Sequence, residues 1–146
     1  MHLPKDTVRG FTLIELLLSV SIIALIAGMG APILYSMYAR AELDRSAYLI
    51  ISSARRAQLL ARSGFHDGPW GISLDTSSLT LFQGTSFDTR VPSRDETMDL
   101  PSLVSVPSQE IVFTPFTGAT ASTSFTLTAS INESRTISVD TYGTIY

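Results

Sequence analysis

Leu16 to Ala39, reading LLLSVSIIALIAGMGAPILYSMYA, is a run of 24 residues without a charge. It exceeds the ~20 apolar residues that carry an α-helix across a bilayer. Before it, Met1 to Gly10 (MHLPKDTVRG) is short and polar, with Lys5 and Arg9 set against Asp6. A secretory signal peptide has the opposite order, with an apolar stretch ahead of a small-residue cut that discards it. Here the polar part comes first and the apolar part follows Gly10, so a cut at Gly10 keeps the hydrophobic helix. Lys5 and Arg9 lie just before the span, which by the positive-inside tendency holds the N-terminus in the cytoplasm and sends the C-terminal part outside. Arg40 and Arg45 beyond the far end oppose this in part, with Glu42 and Asp44 among them.

Gly10-Phe11-Thr12-Leu13-Ile14-Glu15 resembles the processing motif of type IV prepilins and pseudopilins. The resemblance implies that an intramembrane aspartyl peptidase cuts after Gly10 and methylates the new amino group of Phe11. Glu15 then becomes the fifth residue of the mature chain. A carboxylate near the start of a membrane helix costs several kcal/mol unless it is paired, so it marks a functional position. The family's partner for it is the charged amino terminus of a neighbouring subunit, and burial between helices strengthens that attraction. The alternative is a carboxylate that only snorkels to the headgroups; the match of Gly10, Phe11 and Leu13 favours pairing. Pro32 follows Gly28, Gly30 and Ala31 inside the run, where it removes a backbone donor and clashes with the preceding turn, so a kink or local melting is expected. An ordinary membrane-helix proline, its freed groups satisfied by neighbouring helices, is the other reading.

Past the membrane the helix continues, because Leu43, Ala47, Ile50, Ile51, Ala54, Ala57, Gln58 and Ala61 recur at spacings of mostly three or four and form one buried face. Arg45, Arg55, Arg56 and Arg62 fall mostly off that stripe, as a solvated face or a surface against filament neighbours rather than a DNA-binding stripe. Ser63-Gly64 supplies the helix stop. After Gly64, short alternating runs read as strands: Trp70 to Leu74, Leu79 to Gln83, Ile111 to Thr114, Ser124 to Ala129 and Arg135 to Asp140. Turn-forming residues at 75–78, 132–134 and 141–143 make sequential antiparallel hairpins the simplest topology, with Thr144 to Tyr146 closing the sheet. A sheet of this size needs a cover for its apolar face, and the amphipathic half of the helix is available. The fold class is therefore α+β: a long N-terminal helix, transmembrane and then amphipathic, packed on a C-terminal antiparallel β-sheet head, as in pilins. The divisions expected are a leader at 1–10, a membrane and filament-core helix at 11–39, an amphipathic helix at 40–63 and a β-rich head at 64–146. Leu49 to Gly64 and the order of strands from Ile111 to Gly143 resemble minor pseudopilins of the GspH/FimT type. Some of those place arginines around the final Gly for DNA uptake, whereas Thr144-Ile145-Tyr146 follows Gly143 here.

Ser86 to Ser108 lacks periodicity, holds Pro92, Pro101 and Pro107, and reads as a long exposed connection. Its Asp95, Glu96 and Asp99 offer hard oxygen ligands to calcium, but their spacing matches no loop motif, and a solvated acidic loop is the simpler account. The chain has no Cys, and His66 is the one His after the leader, so thiolate metal sites, disulfides and hydrolytic triads lack material. His66 beside Asp67 reads as a turn pair rather than a dyad. No phosphate-binding glycine loop is present. A net charge of -3 gives polyanions no support. No enzymatic activity, cofactor or metal is expected. The resemblance implies other pilin or pseudopilin subunits, a prepilin peptidase, an inner-membrane assembly platform and, before assembly, membrane lipid as partners. Three readings stay open: a minor pilin or pseudopilin, a major pilin, and a ligand-binding tip subunit for adhesion or DNA.

Overall fold

The computed structural model describes residues 10–146, without the side chains of 29–31, and the leader positions Lys5 and Arg9 lie outside the described residues. The chain divides into two units, Met1–Ser36 and Met37–Tyr146. One helix, α1 (Leu13–Arg62), supplies residues to both.

In the first unit α1 begins at Thr12, whose hydroxyl accepts the Glu15 amide at 3.3 Å, a Thr cap on donors that the first turn leaves free. The Ser19 and Ser21 hydroxyls donate to the carbonyls of Glu15 and Leu17 at 2.8 and 2.7 Å, so neither brings an unsatisfied donor into the apolar stretch. From Leu13 to Ile26 the large apolar side chains are exposed on every side of the helix. A helix that is apolar all round needs lipid or other helices for cover, and α1 is long and apolar enough to cross a membrane. The element runs through Pro32, whose ring leaves the Gly28 carbonyl without its intrahelical donor.

Of the stripe expected from the spacing, Ile51 and Gln58 are only half-buried, and in the second unit α1 fully buries Ala39, Leu43, Ala47, Ile50, Ala54, Ala57 and Ala61. Five of these seven are alanines, which lets the helix axis approach the strands closely. Two antiparallel sheets share the core with it. The first has the order β3-β2-β1-β5, from β1 (Trp70–Leu74), β2 (Ser78–Gln83), β3 (Glu96–Asp99) and β5 (Gln109–Phe113). The second has the order β4-β6-β7, from β4 (Val104–Ser105), β6 (Thr123–Ala129) and β7 (Ser134–Val139). Ile145 bridges back to Val139, so the segment at 144–146 closes this sheet as expected. Ile72, Leu81, Ile111 and Phe113 from one sheet and Phe125, Leu127, Ile137 and Val139 from the other point into the common core.

Two expectations need correction. The strands do not form one run of sequential hairpins: β5 returns to pair with β1, Trp70 opposite Phe113, and β4 joins the second sheet through Val104 opposite Ala129. Nor is 86–108 only a long exposed connection, since it contains a 3-10 turn at Pro92–Arg94, then β3 and β4, and buries Leu100, Val104 and Val106. β3 is an edge strand in which Met98 alone is partly buried, against the core, so its burial pattern carries no period-2 signal. The segment also covers the first sheet on the side away from α1. Phe82 is fully buried there under Phe87, ring centroids 5.5 Å apart, and Arg90 lies 3.8 Å over the Phe87 ring. Gly71, opposite Phe82, leaves room for that ring: a Cβ would meet the Ile111 carbonyl oxygen at 2.6 Å and Phe82 Cζ at 2.9 Å.

Candidate processing and assembly segment

Gly10, Phe11, Thr12 and Glu15 line one recess at the start of α1. Gly10 is exposed and a Cβ there would meet nothing, so the position is open to an enzyme approaching the backbone. Phe11 is 86% exposed among the described residues. Glu15 sits in the first turn of α1, where the positive end of the helix dipole favours a carboxylate. Among the described residues no cation makes an ion pair with it. Glu15 is thus a charge at the mouth of an apolar helix whose partner is not supplied by the described chain.

The other candidates fall into structural roles. Asp95 pairs with Arg90 Nε at 2.6 Å, and Glu96 accepts both terminal nitrogens of Arg56 at 2.6 and 2.7 Å. These carboxylates are therefore directed at arginines, and no group of three or more His, Cys, Asp or Glu converges among the described residues. His66 and Asp67 occupy a turn with φ of 60° and 50°, and the His66 ring packs on Phe65 at 4.0 Å. Of the helix arginines, Arg56 is held by Glu96, and Arg62 donates to the carbonyls of Thr117 and Tyr142 at 3.2 and 3.4 Å. Arg55 is left exposed beside Arg62.

A structural role that periodicity only hinted at belongs to Gln58, the one amide on the otherwise apolar stripe. Its Nε2 donates to the carbonyls of Gly143, Gly118 and Tyr142 at 2.9, 3.2 and 3.3 Å. Two turns, at 114–119 and 141–143, are thereby fastened to the last turns of α1, with a further bond from Phe116 N to Ala61 O at 2.9 Å. Gly143 has φ 78°, and a Cβ there would run into the Gln58 amide, so glycine is required twice over. Gln58→Leu keeps the bulk but leaves these carbonyls short of a donor, and the expected loss is about 1–3 kcal/mol of head stability. Chemical denaturation of the detergent-solubilised chain checks it.

Residues 6–31 match the family described as the prokaryotic N-terminal methylation motif. No curated protein and no solved structure matches the chain. The matched stretch contains Gly10, Phe11 and Glu15 and runs into the exposed apolar half of α1. The chain thus carries the N-terminal methylation signal of type IV pilins and pseudopilins at the head of a long apolar helix, with antiparallel sheets behind it, an α+β arrangement consistent with the pilin fold.

Proposed function

We propose that this chain is a structural filament subunit, a minor pilin or pseudopilin of a type IV pilus or a type II secretion pseudopilus. It is made as a single-pass inner-membrane precursor with Lys5 and Arg9 in the cytoplasm and the head outside. Prepilin peptidase cuts after Gly10 and methylates Phe11, and the inner-membrane platform then lifts the helix out of lipid into a bundle of like helices. Lipid covers the apolar half of α1 before that transfer and neighbouring subunits cover it afterwards. The observation that carries this reading is Glu15, without an ion-pair partner among the described residues, at the start of a helix whose first half has its apolar side chains exposed all round, within the methylation motif. In the filament the Phe11 amino group of an adjacent subunit neutralises Glu15. Pro32 loosens the helix between the core and the head during packing. The Ser63-Gly64 stop and the strand order from Ile111 to Gly143 support the GspH/FimT type within the superfamily.

Purified surface filaments, read by mass spectrometry, are expected to contain the chain beginning at N-methyl-Phe11. A chain beginning at Met1 in those filaments refutes the reading. Glu15→Ala is expected to leave the subunit cut and membrane-bound while its incorporation falls about tenfold or more, the equivalent of an ion pair inside a packed bundle lost from both partners. Incorporation at the wild-type level overturns the pairing role.

A further inference from the structure

We propose that a recess at the start of the second unit holds the headgroup of a zwitterionic phospholipid with a primary ammonium, of the phosphatidylethanolamine kind. The inference rests on the reading of the apolar half of α1 as lipid-embedded. The recess has a volume of about 630 Å³, within the ~300–1,000 Å³ common for small-molecule sites. Tyr38, Glu42, Arg45 and Leu49 supply one wall from a single face of α1, where residues three and four apart are neighbours. Asp99, the last residue of β3, lines it from the sheet side.

Depth and charge select the occupant. Ala39, the last residue of the charge-free run, is fully buried against the core, so the packed unit begins where the apolar run ends. At ~1.5 Å per residue, Tyr38 to Arg45 reach from that boundary to ~9 Å beyond it. The polar layer on each side of the hydrocarbon is ~5–8 Å deep, so these side chains stand at headgroup level. Tyr38 belongs both to the charge-free run and to the lining, which makes the recess continuous with the surface that acyl chains cover. The lining also carries both signs of charge. The Glu42 side chain is only 12% exposed, yet Arg45 stands 3.9 Å from it, where the other ion pairs among the described residues close to 2.6–2.9 Å. A carboxylate so covered and so loosely paired is short of a donor. Asp99 makes no ion pair among the described residues. A primary ammonium brings three donors, which these two carboxylates accept. The exposed Arg45 guanidinium meets the phosphate at the other end of the same headgroup. Two carboxylates against one arginine leave the lining net negative, so an anionic headgroup is disfavoured. The exposed rings of Tyr38 and Tyr48 are of the kind enriched at membrane interfaces, and their faces attract ammonium groups.

Native mass spectrometry of the full chain in non-ionic detergent, titrated with dioleoyl phosphatidylethanolamine, phosphatidylcholine or phosphatidylglycerol, tests the assignment. One phosphatidylethanolamine is expected to bind about tenfold more tightly than phosphatidylglycerol, and several-fold more tightly than phosphatidylcholine, whose quaternary ammonium donates no hydrogen bond. Asp99→Asn, at an exposed position, is expected to erase the preference over phosphatidylcholine. Arg45→Gln, also exposed, is expected to weaken both zwitterionic lipids about tenfold with head stability unchanged. Equal binding of the three lipids, preference for phosphatidylglycerol, or variants that bind as the wild type does overturns the inference and leaves the membrane reading standing. A chain that binds no lipid and enters no vesicle overturns both. Variants that keep the lipid preference and lose only incorporation into filaments make the recess a contact between subunits, which overturns the inference as well.

Discussion

Gly10→Val is expected to leave the precursor uncut: the intact mass of the membrane-extracted chain should correspond to a start at Met1, and incorporation into filaments should be lost. The size of the effect follows from where the residue sits. Gly10 is exposed, precedes the first turn of α1, and a Cβ at this position meets no atom of the described chain within 4 Å. The substitution therefore leaves folding untouched, and all of its consequence falls on the enzyme that must bring its catalytic groups against the Gly10–Phe11 peptide bond. A branched side chain next to that bond obstructs the approach, and displacement of the reacting atoms by about 1 Å is enough to cost about a hundredfold in rate. Normal cleavage of Gly10→Val would separate this motif from its processing role, whereas uncut chain with unchanged head stability supports it.

Phe113→Ala is expected to destabilise the second unit by about 3–5 kcal/mol, a large part of the roughly 5–15 kcal/mol that holds an ordinary domain together. Phe113 is fully buried at the end of β5, in the cluster that joins α1 to both sheets. Its neighbour across the strands is Trp70, the only tryptophan in the chain, so the emission of that residue reports the unfolding directly. Denaturation of the detergent-solubilised variant should shift to markedly lower denaturant. A change below about 1 kcal/mol would mean that the cavity collapses without loss and that the core does not depend on this ring.

The processing segment and most of the elements were legible in the amino-acid order because each rests on a local pattern. Gly10, Phe11 and Glu15 stand in a short motif, and Leu43 to Ala61 repeats at helical spacing. From Ser124 to Ala129, β6 alternates hydroxyl and apolar residues. Pairing between distant segments was not legible. Glu96-Thr-Met-Asp99 carries no alternation because an edge strand on β2 buries little, and β5 beside β1 depends on a return across the intervening loop that no short-range signal encodes. The cover on Phe82 by Phe87 and Arg90 is of the same kind, as is the convergence of two turns on Gln58. The partner of Glu15 could not be found in either record of this single chain, since the proposed partner belongs to another copy.

The Gln58 amide also sets an order of events. It waits on Gly118 and Gly143, which arrive 60 and 85 residues later in the chain, and Ile145 bridges to Val139 only after that. Contacts of such long sequence separation form late and slowly. The last turns of α1 are fastened in part by residues at the far end of the chain, and a chain cut before Gly143 would keep the seven strands yet lack the bond from Gln58 to Gly143.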